Sequence, residues 1–229
     1  MLRSSAEATA SADAPEVLRL RPRRVLGVIA VTAVGLNVAN ALCIVAGANT
    51  DRTRFWLVAL ERTPATWLSA AVLALAAAAA WAVGIGRVDA AAWRFVSLVL
   101  LVLSIDEVAS FHERLAAVPG IPGVGSRGWA GAGLVLVAFV AVRLRRWAVA
   151  LAPRLRSALV VGAALFVAGA VGFEVLAGNH QSVHGSDTTY WTLSTIEEDL
   201  ELLGVGVVVA ALLDTLARRA APLRLVVGR

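Results

Sequence analysis

The chain has 229 residues, 59% hydrophobic and 16% charged, with a mean hydropathy of +0.78. That balance excludes an ordinary soluble domain and points to an all-α, polytopic integral membrane helix bundle. The net charge of +5 and pI near 11.0 do not indicate nucleic acid, because the basic residues flank apolar stretches, where they act as topology signals and contacts to anionic membrane lipids.

All 21 basic residues are arginine, a coding bias toward GC-rich codons that suggests a bacterial source. Cys43 is the single cysteine and falls within an apolar run, so neither a disulfide framework nor a cysteine metal site can form within one chain. Residues 1–22 are rich in Ala, Ser and acids and are expected to form a disordered cytoplasmic tail. Residues 23–219 would hold six transmembrane helices, and residues 220–229 a second cytoplasmic tail.

Taken in order, the first apolar run covers about residues 25–47, long enough to cross a hydrocarbon core of about 30 Å at about 1.5 Å per residue. Asn37 and Asn40 share one face of it, as interhelical hydrogen-bonding groups or as lining of a site. Phe55–Leu60, too short to span and flanked by Arg52, Arg54, Glu61 and Arg62, predicts one short interfacial helix. A second span follows at about 66–86, with an unbroken alanine run at 76–80 that suits close helix packing. The third runs from about 93 to 116 and ends in a Pro- and Gly-rich loop at 119–125. The fourth covers about 128–147, and the fifth about 157–178 with a small-residue row at Ala164, Ala168 and Gly172. A polar loop at 178–187 precedes the sixth span, about 194–217. Arginines cluster in the N-terminus, the 87–94 turn, the 143–156 loop and the C-terminus, so the positive-inside rule puts both termini in the cytoplasm of a plasma-membrane protein.

The third span carries Ser104-Ile-Asp-Glu-Val-Ala-Ser-Phe-His-Glu113. Ionisable residues within a span cost about 2.5–3.5 kcal/mol each on insertion scales, and this stretch holds four. Under the assigned topology it lies near the outer leaflet. Glu174, at the outer end of the fifth span, and Glu197, Glu198 and Glu201, at the outer start of the sixth, share that level. The three histidines, His112, His180 and His184, fall there too. At about 100° per residue, Asp106 and Glu113 point within about 20° of each other, with Ser110 nearby. Glu107 points off that stripe and is spaced for an ion pair with Arg114. Glu198 could belong to a capping box opened by Thr195 at the start of the sixth helix.

Carboxylates so concentrated need a compensating charge: bound metal, shared protons or arginine partners. Asp106, His112, Glu113, Glu174, Glu201, His180 and His184 are candidate ligands for a divalent metal ion such as Zn, Fe or Mn, with Glu197 and Ser110 as candidate catalytic groups. The Ser104–Glu113 stretch and the His180-x-x-x-His184 pair also resemble the superfamily of membrane zinc hydrolases that includes alkaline ceramidases and adiponectin-type receptors. That family has seven spans with its HxxxH inside the last, whereas here the pair precedes the sixth span and glutamates dominate. What the resemblance implies is a lipid hydrolase. Three functions follow: a membrane metalloenzyme acting on a lipid or apolar substrate, a cation or proton transporter using the same carboxylates, and a non-catalytic membrane subunit.

Overall fold

The structure, a computed structural model, describes residues 21–47, 51–111 and 126–219, with the backbone alone for residues 51 and 126–130. The 1–20 and 220–229 tails, the 119–125 loop, His112, Glu113 and Arg114 lie outside the described residues. Every regular element described is helical: α1 (Pro22–Val45), α2 (Asp51–Arg54), α3 (Pro64–Gly84), α4 (Ala90–Ala109), α5 (Ser126–Ala150), α6 (Pro153–Val167), a π-helical turn (Ala168–Phe173), α7 (Glu174–His184) and α8 (Thr188–Ala217).

Proline sets three of the starts. Pro22, Pro64 and Pro153 each occupy the first helical turn, where the missing N–H would have had no partner anyway. At α3 the start is reinforced by a reciprocal cap: the Thr66 N–H donates to Thr63 Oγ1 at 3.5 Å and the Thr63 N–H to Thr66 Oγ1 at 3.4 Å. The Thr66 hydroxyl also donates to the Leu60 carbonyl, which ties the preceding loop to the helix.

α8 is the central rod, touching α1, α3, α6, the π-helical turn and α7. The core lies where it meets α3: Leu73, Ala76, Ala80 and Val83 pack with Val209 and Leu212 around the fully buried Trp93. The alanine run thus does what its small side chains suggest, bringing α3 close to its neighbours. α4 returns antiparallel along α3, held by Ser97 Oγ to the Ala77 carbonyl and Ser104 Oγ to the Ala70 carbonyl, both at 2.8 Å. The α6–α8 crossing is tighter still. A Cβ on Gly204 would stand 2.5 Å from the Gly162 carbonyl oxygen, and one on Gly162 would stand 2.7 Å from that of Gly204.

The outer surface is apolar. Val31 is 74% exposed and Val142 77%, among many large hydrophobic side chains directed outward. An apolar surface on this scale needs lipid rather than water. Four segments are long and apolar enough to cross a membrane: Pro22–Val45, Pro64–Gly84, Pro153–His184 and Thr188–Ala217. The chain is therefore an all-helical membrane protein. α4, with Arg94, Asp106 and Glu107, is not among the four.

Three local expectations change. Phe55–Leu60 is a series of turns, and the preceding α2 is a single four-residue turn; in place of an interfacial helix, Leu57 and Val58 are buried in the bundle. The third apolar helix stops at Ala109 because Ser110 takes a left-handed backbone, φ 51°. The 178–187 segment is mostly helix, since α7 continues through Gly178 and Asn179 to His184 and a helical Gly costs only about 1 kcal/mol.

Candidate functional site: a carboxylate cluster at one end of the bundle

The two ends of the bundle differ in charge. At one end lie the start of α1, the α3–α4 turn, the α5–α6 junction and the end of α8, where Arg219 donates to the carbonyls of Val83 and Ile85. Asp89 anchors this end. It accepts from Arg87 Nε at 2.7 Å and Nη2 at 3.0 Å, from Trp93 Nε1 at 3.1 Å and from Trp147 Nε1 at 3.0 Å. The guanidinium hydrogen bonds hold the Asp89 carboxyl down to about 2 and raise Arg87 in turn.

The other end gathers acids. The groups acting electrostatically on Glu198 are Glu107, Glu197, Glu61 and Asp199, and those on Glu201 are Glu198, Glu107, Glu197 and Glu174. Carboxylates from the α2–α3 loop, α4, α7 and α8 therefore lie within electrostatic range of Glu198 or Glu201, all half-buried. Burial away from water makes their like charges matter more. Asp199 accepts from Asn37 Nδ2 at 2.8 Å. Asn40, 2% exposed, donates to Thr195 Oγ1 at 2.9 Å and accepts from the Val58 N–H at 3.1 Å. The two asparagines are thus interhelical ties from α1 to α8, as their spacing suggested. A cavity of about 10 Å³ lies among Asn37, Val58, Ser69, Glu198 and Asp199, the size of a single water site.

The backbone is irregular at this same end. Among the described residues the non-glycine positions with left-handed backbone are Arg62, φ 64°, next to Glu61, and Ser110, φ 51°, three residues past Glu107. Such conformations cost about 1–3 kcal/mol and persist where surrounding structure enforces them. The π-helical turn ends immediately before Glu174. It lies against α8 through Gly169, where a Cβ would stand 2.6 Å from the Glu197 carbonyl oxygen and 2.8 Å from Glu201 Cγ. Turns of this kind inside helices often mark functional sites.

Glu174 and Glu197 act electrostatically on Glu201. Asp106 is half-buried on α4, but it is Glu107 that acts on Glu198 and Glu201. Arg114, the partner expected for Glu107, lies outside the described residues, as do the candidate ligands His112 and Glu113. Ser110 is buried at the end of α4. The capping account of Glu198 fails, because α8 begins at Thr188 with Asp187 as its cap and has no acid in its first turn. Thr195 Oγ1 donates within the helix to the Trp191 carbonyl. His180 and His184 stack on one face of α7 with ring centroids 4.7 Å apart. His180 Nε2 lies 2.8 Å from Asp187 Oδ1, the oxygen that accepts the Tyr190 N–H at 2.9 Å. These two bonds, the backbone one foremost, lower the Asp187 carboxyl. Among the described residues no three His, Cys, Asp or Glu side chains are grouped to hold a metal ion.

Sequence reasoning passed over Glu61 and set Glu107 and Glu198 apart from the inner group. A signal for Glu107 was present: Ser97 and Ser104, seven apart, mark the α4 face that meets α3, and Glu107 follows one turn later on that side. Glu61 stands just before the Thr63–Thr66 cap, so the start of α3 sets its level.

No curated protein and no solved structure matches the chain. A family model described as a domain of unknown function, DUF8692, matches residues 25–216, from within α1 to within the last turn of α8. The chain belongs to that family.

Proposed function

We propose that the protein is a six-span plasma-membrane protein, both termini cytoplasmic, whose acidic end lies near the outer leaflet and binds a divalent cation. The observation that carries this reading is the convergence of Glu61, Glu107, Glu174, Glu197, Glu198 and Glu201 where the backbone departs from regular helix. Half-buried carboxylates at mutual range favour whatever supplies positive charge. Hard oxygen donors suit Mg²⁺ or Mn²⁺, and Zn²⁺ or Fe²⁺ would draw on the histidines. A metal held there would activate water against a lipid or apolar substrate, with Glu197 as the proton acceptor and Ser110 near the reacting group.

The direct test is calorimetric titration of Mn²⁺ and Zn²⁺ into chelator-stripped protein. Glu198→Gln and Glu201→Gln should each weaken binding at least tenfold. Unchanged binding in both, with loss in His184→Ala, would move the cation to the histidine pair and overturn the assignment.

A second reading, a proton or monovalent-cation path through the same acids, draws support from their spacing. The described acids are within electrostatic reach of one another without forming a ligand group, which suits protons shared through water.

The orientation has its own test. On a Cys43→Ala background, a cysteine at position 186 should be labelled from outside and one at position 150 from inside. The reverse pattern would put the acidic end in the cytoplasm.

A further inference from the structure

We infer that the arginine-bearing end of the bundle holds a specific site for an anionic phospholipid, in the cleft between α1, α6, α8 and the α3–α4 turn. The cleft measures about 1070 Å³ and is lined by Arg23, Arg87, Arg154 and Arg218 with Asp89 and Asp214. Four arginines face two aspartates, and the aspartates are already taken. Asp89 is bonded to Arg87 and the two indoles, and Asp214 Oδ2 sits 2.9 Å from Arg218 Nε. Arg23 and Arg154 remain. Both are exposed, and neither forms an ion pair with the other described residues. Arg154 reaches Asp214 only through space.

The cleft continues from this rim onto an apolar floor that includes Leu26, Leu155, Ala158 and Ala211. A guanidinium rim presents forked donors to a phosphate diester, and an apolar floor below it accepts an acyl chain. A soluble anion would use the rim and leave the floor to water; a zwitterionic lipid would bring its own cation to a rim already positive. The combination of two uncommitted arginines and a floor of aliphatic side chains selects a lipid with a net negative headgroup. This inference depends on the membrane placement of the chain and not on any cation at the acidic end.

The test uses the full chain, delipidated in detergent, with phosphatidylglycerol or phosphatidylcholine added and retention followed by native mass spectrometry. One phosphatidylglycerol per chain should be retained in preference to phosphatidylcholine. The Arg23→Gln/Arg154→Gln double variant should weaken its retention about 30-fold, from about 1 kcal/mol per arginine. Arg145→Gln, exposed and outside the cleft, should retain it as wild type does. Ala158→Trp, which fills the floor without changing charge, should also lose the lipid, and the melting temperature of each variant shows whether it is folded. Equal retention of phosphatidylcholine, equal loss in Arg145→Gln, or full competition by inorganic phosphate would overturn the proposal.

Discussion

The two ends of the bundle treat buried charge in opposite ways. At the arginine end, Asp89 is met by a guanidinium and two indole N–H groups, so its negative charge is answered by the chain itself. At the acidic end, the described groups acting electrostatically on Glu198 include four other carboxylates, and Asn37 and Ser69 line the same small cavity as Glu198. Local order follows the same division. The α3–α4 turn at the arginine end is short, with the Ile85, Arg87 and Ala90 N–H groups bonded to backbone carbonyls, whereas the acidic end contains the left-handed Arg62 and Ser110 and the π-helical turn. At the arginine end the aspartate has its partners within the chain; at the acidic end carboxylates gather beside irregular backbone, and the proposed cation site rests on that grouping.

The largest effect should come from breaking the self-neutralised end. Asp89→Ala leaves the indole N–H groups of Trp93 and Trp147 without their acceptor, and unsatisfied buried donors cost about 1–3 kcal/mol each. A loss of about 3 kcal/mol is expected in detergent unfolding, and about 1 kcal/mol for Asp89→Asn, whose amide oxygen still accepts. A neutral Asp89→Ala would show that this end does not depend on the carboxylate. Because Asp89 is held down to about 2, below its ordinary value, its stabilising contribution is complete above about pH 4. It should be lost only as pH falls through about 2.

The next effect tests whether the π-helical turn must lie against α8. Gly169→Ala places a methyl 2.6 Å from the Glu197 carbonyl oxygen, whereas a Cβ at Gly172 meets nothing within 4 Å. Overpacking of this kind costs about 1–3 kcal/mol, so Gly169→Ala should destabilise by about 2 kcal/mol and Gly172→Ala by much less. Equal effects would mean that the close approach is not needed.

A smaller effect, of opposite sign, is expected within the acidic cluster. With cations removed at neutral pH, Glu198→Gln should stabilise the protein by about 1 kcal/mol through relief of like-charge repulsion. Glu107→Gln should move in the same direction. Destabilisation by either, in chelator, would show that the acids already have full compensation in the chain. Smallest of all, Asp187→Ala should lower the melting temperature more than His180→Ala, because the aspartate caps α8 as well as facing the histidine.

How much of this was legible before the structure depends on what each signal measures. Hydropathy located the apolar helices because burial in lipid rewards every residue of a span. Asn37 and Asn40 were legible because a polar pair on an apolar face has few stable fates besides interhelical hydrogen bonding. The start of α8 was not: Thr188–Leu193 is polar and aromatic and reads as loop, yet Asp187 caps it as the first turn of a 30-residue helix. That shift moved Glu197 and Glu198 from a helix start, where the dipole explains acids, to a helix interior, where it does not. On α4 the wheel aligned Asp106 with Glu113; Glu113 lies outside the described residues, and α4 itself ends with Ser110 as its cap. The π-helical turn lies against α8 at Gly169, and Ser110 and Arg62 take positive φ without being glycine; no periodic pattern announces any of them.

A divalent cation that answers the charge of the acidic end must leave with acid and with chelator. Melting curves of the full chain across pH, with and without chelator, beside elemental analysis of the purified protein, test it most directly. Ligating carboxylates bind metal in the deprotonated form, so acid competes the cation away, and a ligand that binds the folded state raises its melting temperature. With a cation bound, the expected result is stoichiometric metal, a fall in melting temperature on adding chelator at neutral pH, and no further chelator effect once acid has displaced the cation. Substoichiometric metal, no chelator effect at neutral pH and a melting temperature that rises as the acids protonate would contradict it and leave shared protons as the compensating charge.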